Sequence, residues 1–158
     1  MKPLKHIALT VAATATFASA VFANDAVETM AAFYEIADAR PFDGEKLSTF
    51  ISPDFFDHTN NVKPQQGPAG GIFQMLANGA PDSHHEIEMI EPVGDDKALI
   101  IWRYVGTNTD GLFGVPAKTP ANAFSIPGME LWEVKEGKIT GLWHVEDILG
   151  LMNQLNAE

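Results

Sequence analysis

From Ser83 onward the hydrophobic spacing of this chain changes from a helical repeat to strict alternation. That change constrains the fold class more than any other feature. Before it, Val27, Met30, Ala31 and Tyr34 recur at helical spacing and predict a helix over Asp25 to Ala39. Arg40-Pro41 ends it, because a residue before proline avoids the α region. Leu47, Phe50 and Ile51 predict a shorter helix over Asp43 to Ile51, followed by an extended piece over Asp54 to Thr59. Asn60 to Gly67 is polar, holds Pro64 and reads as a loop. Gly67-Pro68 opens a third helix with Ile72, Phe73, Met75 and Leu76 on its core face, closed by Asn78-Gly79. After the change, His84 to Val93, Ala98 to Val105, Ala123 to Val134 and Lys138 to Val145 read as strands. Ala98 to Val105 is almost continuously apolar, which predicts a central strand covered on both faces. Thr107 to Pro120 is a long connection, and Asp147 to Leu155 a terminal helix. Helices followed by antiparallel strands define an α+β domain: a curved antiparallel sheet wrapped over N-terminal helices, with an apolar pocket at its open end.

The first 23 residues have a different character. Lys2 and Lys5 precede an uninterrupted run of apolar, Thr and Ser residues from Ile7 to Ala20, and Val21-Phe22-Ala23 fits a cleavage site. This is the layout of a secretory signal peptide. The run is short of the roughly 20 residues that span a bilayer, so no stable membrane anchor is expected after cleavage. The expectation is therefore residues 1-23 as a leader and 24-158 as one domain, exported to the periplasm or the medium. The chain has no cysteine, which excludes disulfides, thiolate metal sites and Cys nucleophiles. Its formal net charge is −11 with no basic run, a poor match to nucleic acid or to anionic lipid.

A series of short motifs then takes on meaning by its order. Asp54-Phe55-Phe56-Asp57-His58, Gly67-Pro68-Ala69-Gly70 and Pro81-Asp82 come first. Gly106-Thr107, Gly114-Val115-Pro116-Ala117, Glu136-Gly137-Lys138-Ile139 and Trp143-His144-Val145-Glu146-Asp147 follow. From about Val27 to Leu155 the series resembles the SnoaL-like polyketide cyclases. The resemblance implies a nuclear transport factor 2-like cone around a deep apolar pocket. It also implies a small hydrophobic ligand, a homodimer, and acid–base chemistry next to a carbonyl with no metal and no redox cofactor. By the Trp-x-x-x-Asp pattern, the family's acid/base Asp falls on Asp147, and the position of His58 implies a side chain looking into the pocket. Asn108 stands where many relatives carry His.

The residues themselves leave alternatives open. Asp147 sits where it could cap the last helix, or be desolvated by Trp143 and Val145 on the same strand face and move a proton. His58 reads either as a donor to a substrate oxygen or as a core histidine. His144 points away from Trp143, toward a structural or surface role. Trp102, Tyr104 and Trp132 are core or pocket wall, and Arg103 is ion-paired or an anion hook. His84 and His85 face opposite ways on a strand and cannot share a metal ion. Two functions fit: cofactor-free proton transfer, of the aldol cyclase or isomerase type, on a small hydrophobic carbonyl compound, or an exported protein that binds such a molecule without chemistry.

Overall fold

The computed structural model describes residues 25–64 and 71–158. The leader and the Gly67-Pro68 helix start lie outside them. Helix α1 spans Asp25–Ala37, α2 Gly44–Ser48, α3 Ile72–Gly79 and α4 Ile148–Asn156. Strands β1 (Ile51–Asp57), β2 (His84–Val93), β3 (Lys97–Thr107), β4 (Ala123–Lys135) and β5 (Lys138–Glu146) form one sheet in the order β1-β5-β4-β3-β2. The α+β architecture is the expected one. No helix among the described residues is long and apolar enough to cross a membrane.

Three expectations need correction. The sheet is mixed: β2 to β5 form an antiparallel meander, but β1 joins β5 in parallel. The second helix is also shorter than expected. Asp43 caps α2 by accepting from Lys46 N at 2.9 Å, and after one turn the chain becomes strand, where Phe50 O accepts from Ile139 N. Strand β3, in turn, is covered on one face only. Ala98, Ile100, Trp102 and Tyr104 are buried, whereas Leu99, Ile101 and Val105 on the outer face are half-buried. Apolar content reported the strand but not how many layers cover it.

The core lies between α1 and the concave face of the sheet. Met30 and Phe33 of α1 are fully buried, and the Phe33 ring lies 5.4 Å from that of Trp132 on β4. Phe50 and Phe73 pack edge-on against Phe33 at 6.1 and 5.7 Å. Burying one such aromatic ring stabilises the fold by about 1.5–3 kcal/mol.

Two local features position the site. On β5 the pairing with β4 skips Thr140: Ile139 pairs with Val134, but Gly141 pairs with Glu133. This one-residue bulge exchanges the faces of every later side chain on the strand. On β4, Gly128 pairs with Trp102, and the indole lies across the bare backbone. A Cβ at this position would overlap the indole ring. Gly128→Ala is therefore expected to displace Trp102 and destabilise the domain by about 1–3 kcal/mol, read by urea denaturation and by near-ultraviolet circular dichroism of the tryptophans.

Candidate functional site

The half of the concave face that α1 leaves uncovered is a cavity of about 460 Å³. Its walls are mainly apolar, from Phe55, Trp102, Tyr104, Ile126 and Trp132 on the sheet and Phe73, Leu76 and Leu151 on the helices. Ile72, Phe113 and Ile148 line it while remaining exposed, so they frame its opening. Three sets of polar side chains belong to this cavity.

The first is a histidine between two carboxylates. His144 and Glu146 project inward from β5, and Asp57 comes from the end of β1. His144 Nδ1 donates to Glu146 Oε1 at 2.6 Å, and Nε2 lies 3.3 Å from Asp57 Oδ2. Asn60 donates to Asp57 through its backbone N–H and its side-chain amide. The hydrogen bond to Glu146 raises the His144 pKa; burial opposes it, and the charge of Glu146 and the bond and charge of Asp57 add to it, giving about 9. Burial pushes the Asp57 carboxyl upward, but the bonds from Asn60 and His144 outweigh it and hold it below its ordinary value. At neutral pH this set holds an imidazolium, with both N–H groups committed to carboxylates.

The second set surrounds Glu130, which faces inward directly opposite His144 across the β4–β5 pairing. Glu130 Oε2 accepts from the Tyr34 hydroxyl and from Trp132 Nε1 at 3.1 Å. Burial and the adjacent carboxylate raise the Tyr34 pKa well above its ordinary value, so the phenol keeps its proton.

The third set is a histidine oriented by an aspartate. Asp38, just beyond α1, accepts from the His85 backbone N–H at 2.9 Å, and its other oxygen lies 2.9 Å from His85 Nδ1. The His85 side chain is 7% exposed and lies among Tyr34, Trp102 and Tyr104, with ring centroids 4.9, 5.1 and 4.5 Å away. Nδ1–H is committed to the carboxylate, which fixes the tautomer and leaves Nε2 as the free nitrogen of a cavity-lining ring. Trp102 Nε1 is buried and has no hydrogen-bond partner. Tyr104 donates its hydroxyl to Ser83 at 2.6 Å, and burial pushes its pKa up to about 12.

The residues singled out from the sequence divide accordingly. Trp102, Tyr104 and Trp132 line the cavity. Asp147 does not: it is exposed and caps α4, accepting from Gly150 N at 2.8 Å. His58 lies on the outer face, stacked on Trp143 at 3.8 Å with Nε2 3.5 Å from Glu133. Trp143 and Val145 are exposed on that same face. The bulge at Thr140 is the reason. Counting by twos from buried Ile139 puts 143, 145 and 147 inside, but the extra residue puts His144 and Glu146 there instead. Arg103 is a half-exposed partner of Glu88 at 3.5 Å on the outer face. Asn108 is buried within its own loop, accepting from Gly111 N at 2.9 Å and donating to Val115 O at 3.3 Å. His85, Asp38, His144 and Glu130 were not among the expected site residues. A polar residue on an otherwise apolar inner strand face is the signal that marks three of them. Among the described residues, no group of His, Asp and Glu side chains is arranged to hold a metal ion.

A cone whose concave face holds an apolar cavity with embedded acid–base groups defines a small-molecule-binding class. The chain belongs to the SnoaL-like polyketide cyclase family, whose model matches residues 24–155. It shares its cone with a candidate polyketide cyclase of Bacillus cereus, at 30% identity over 83% of this chain and 80% of that one, TM-score 0.65. A candidate SnoaL-like cyclase of Jannaschia is 18% identical over 85% of this chain and 93% of that one, TM-score 0.70. IdmH of Streptomyces antibioticus, described as a candidate polyketide cyclase, is 23% identical over 82% and 97%, TM-score 0.64. No curated protein sequence matches the chain significantly.

The His144 set makes a pH prediction. A histidine with an ordinary pKa near 6.5 in the unfolded chain and about 9 in the folded one stabilises the fold fully below pH 6.5. That contribution is lost as pH rises through 9. Asp57, lowered in the fold, contributes above its ordinary value of 3.8 and loses that contribution as pH falls through its folded value. Melting temperatures are expected to fall between pH 6.5 and 9, and His144→Gln to flatten that slope. Ring-proton NMR of His144 should titrate near 9.

Proposed function

We propose that the cavity performs cofactor-free proton transfer on a small hydrophobic carbonyl compound, with His85 as the base. The observation that carries this reading is an unpartnered indole N–H beside an aspartate-oriented imidazole inside one apolar cavity. A carbonyl oxygen accepting from Trp102 Nε1 would fill the orphan donor. His85 Nε2 would then take a proton from the adjacent carbon, leaving an enolate whose oxygen the indole N–H stabilises. Asp38 would stabilise the imidazolium that forms. The proton would return from Nε2 to another carbon in an isomerisation, or to the new alkoxide in an aldol closure. Apolar walls exclude water from the enolate. The roles first given to Asp147 and His58 thereby pass to His85 and Trp102.

The same reading keeps the protein exported, supported by the Lys2–Ala23 segment. It also keeps the protein a homodimer, supported by the exposed or half-exposed Leu99, Ile101, Met129, Leu131 and Val145 on the outer sheet face. Native mass spectrometry of the exported fraction is expected to give a dimer of chains beginning at Asn24. A monomeric mass would end the dimer reading, and a retained Met1 would end the leader reading.

The catalytic test is deuterium uptake at the α-carbon of aryl β-dicarbonyl compounds, followed by NMR. His85→Asn is expected to lower the exchange rate by a factor of about 10²–10⁴, and Trp102→Phe by about 10², both in protein that keeps its fold by circular dichroism despite the modest loss of melting temperature that truncating a buried side chain brings. Exchange unaffected by His85→Asn would overturn the assignment. Compounds bound but recovered without exchange would leave the non-catalytic binding protein.

A further inference from the structure

We propose that the ligand of this cavity carries a protonated amine, seated between the Glu146 carboxylate and the Trp102 ring. This rests on the cavity being the substrate site proposed above, and it adds the chemical class of the molecule. Glu146 stands opposite Gly128 in the β4–β5 pairing, and Trp102 lies across Gly128 from the other side. The carboxylate and the indole therefore flank one spot on the sheet. Glu146 gives Oε1 to His144, and no hydrogen bond from the described residues reaches its second oxygen, which is left to solvent on a side chain 22% exposed.

Nothing in the cavity supplies a donor for that oxygen. Both N–H groups of His144 are directed at Glu146 and Asp57, the Tyr34 hydroxyl goes to Glu130, and that of Tyr104 goes to Ser83. Of the two buried donors without a partner among the described residues, Arg40 Nε and Trp102 Nε1, only Trp102 lines the cavity. A ligand that displaces solvent there gains by bringing a donor to Glu146 and an acceptor to Trp102. Charge selects the donor. Asp57, Glu130 and Glu146 line the cavity against His144, and no Lys or Arg is among the lining residues. An ammonium finds a carboxylate and the faces of aromatic rings, which attract cations. A carboxylate ligand meets like charge in a low-dielectric space.

The test compares three acetophenones of one shape, bearing in the para position an aminomethyl, a hydroxymethyl or a carboxylate group. Affinities are read by tryptophan fluorescence in His85→Asn protein, so that the result is independent of turnover. The ammonium probe is expected to bind about tenfold more tightly than the alcohol, and the carboxylate most weakly. Glu146→Gln should abolish the preference for the ammonium while leaving the alcohol's affinity within about twofold. Trp102→Phe should weaken all three probes by removing the N–H, and the ammonium most, because a phenyl face attracts a cation less than an indole. A carboxylate that binds as well as the ammonium, a preference that survives Glu146→Gln, or no binding by any of the three at millimolar concentration would overturn the proposal. If Glu146→Gln does not fold, the order of the three affinities in His85→Asn protein decides the matter alone. Failure here with intact exchange chemistry would leave His85 and Trp102 in their roles.

Discussion

A helix too short for its sheet governs this molecule. Helix α1 has 13 residues and β4 also has 13. At about 1.5 Å per helical residue and 3.3 Å per strand residue, the helix spans roughly 20 Å of a strand roughly 43 Å long. Phe33 and Met30 seal part of the concave face against Trp132, and the rest is walled by α3 and by α4, whose Leu151 and Leu155 are buried in the core. The cavity is the remainder of that mismatch. The aromatic residues around it serve two ends at once, since Trp132 meets the core through Phe33 and the cavity through its other surface.

Polar groups in such a space must find partners, because an unpaired buried donor or acceptor costs about 1–3 kcal/mol. Most of them do. Glu130 takes two donors, Asp57 takes the amides of Asn60, and Asp38 holds both the backbone and the ring of His85. Against that background of satisfaction, the indole N–H of Trp102 stands out as a cavity donor that the described residues do not meet, while the second oxygen of Glu146 is left to solvent. An acid–base site is built this way: supporting groups fix the tautomers and rotamers, and the few groups left over face the ligand.

Much of the fold was legible because apolar periodicity reports local geometry directly. The His84–Val93 strand and the Gly94-Asp95-Asp96 turn follow from alternation and turn chemistry alone, and the final helix from its four apolar residues. The parallel docking of β1 was not legible, since pairing direction depends on partners distant in sequence. On β5 the alternation of Trp143, His144 and Val145 was readable, but not which set faces inward. The bulge at Thr140 leaves no mark in hydrophobicity, and tryptophan beside valine looks like core. Asp147 was placed inward for the same reason, by its relation to Trp143 and Val145, whereas the inward reading of His58 came from the family resemblance, and the ring instead stacks on outward Trp143. His85 was passed over because an adjacent histidine invited a metal reading, whereas its actual partner, Asp38, lies 47 residues away in the chain.

The bulge has an evolutionary side. A strand with one inserted residue stores two alternative faces in a single stretch of sequence, here His144 and Glu146 or Trp143 and Val145. Loss of the codon for Thr140 would remove the bulge and leave His144 and Glu146 facing inward, whereas a slip of the β4–β5 pairing that kept Thr140 and absorbed the bulge would turn Trp143 and Val145 inward and make a charged lining apolar.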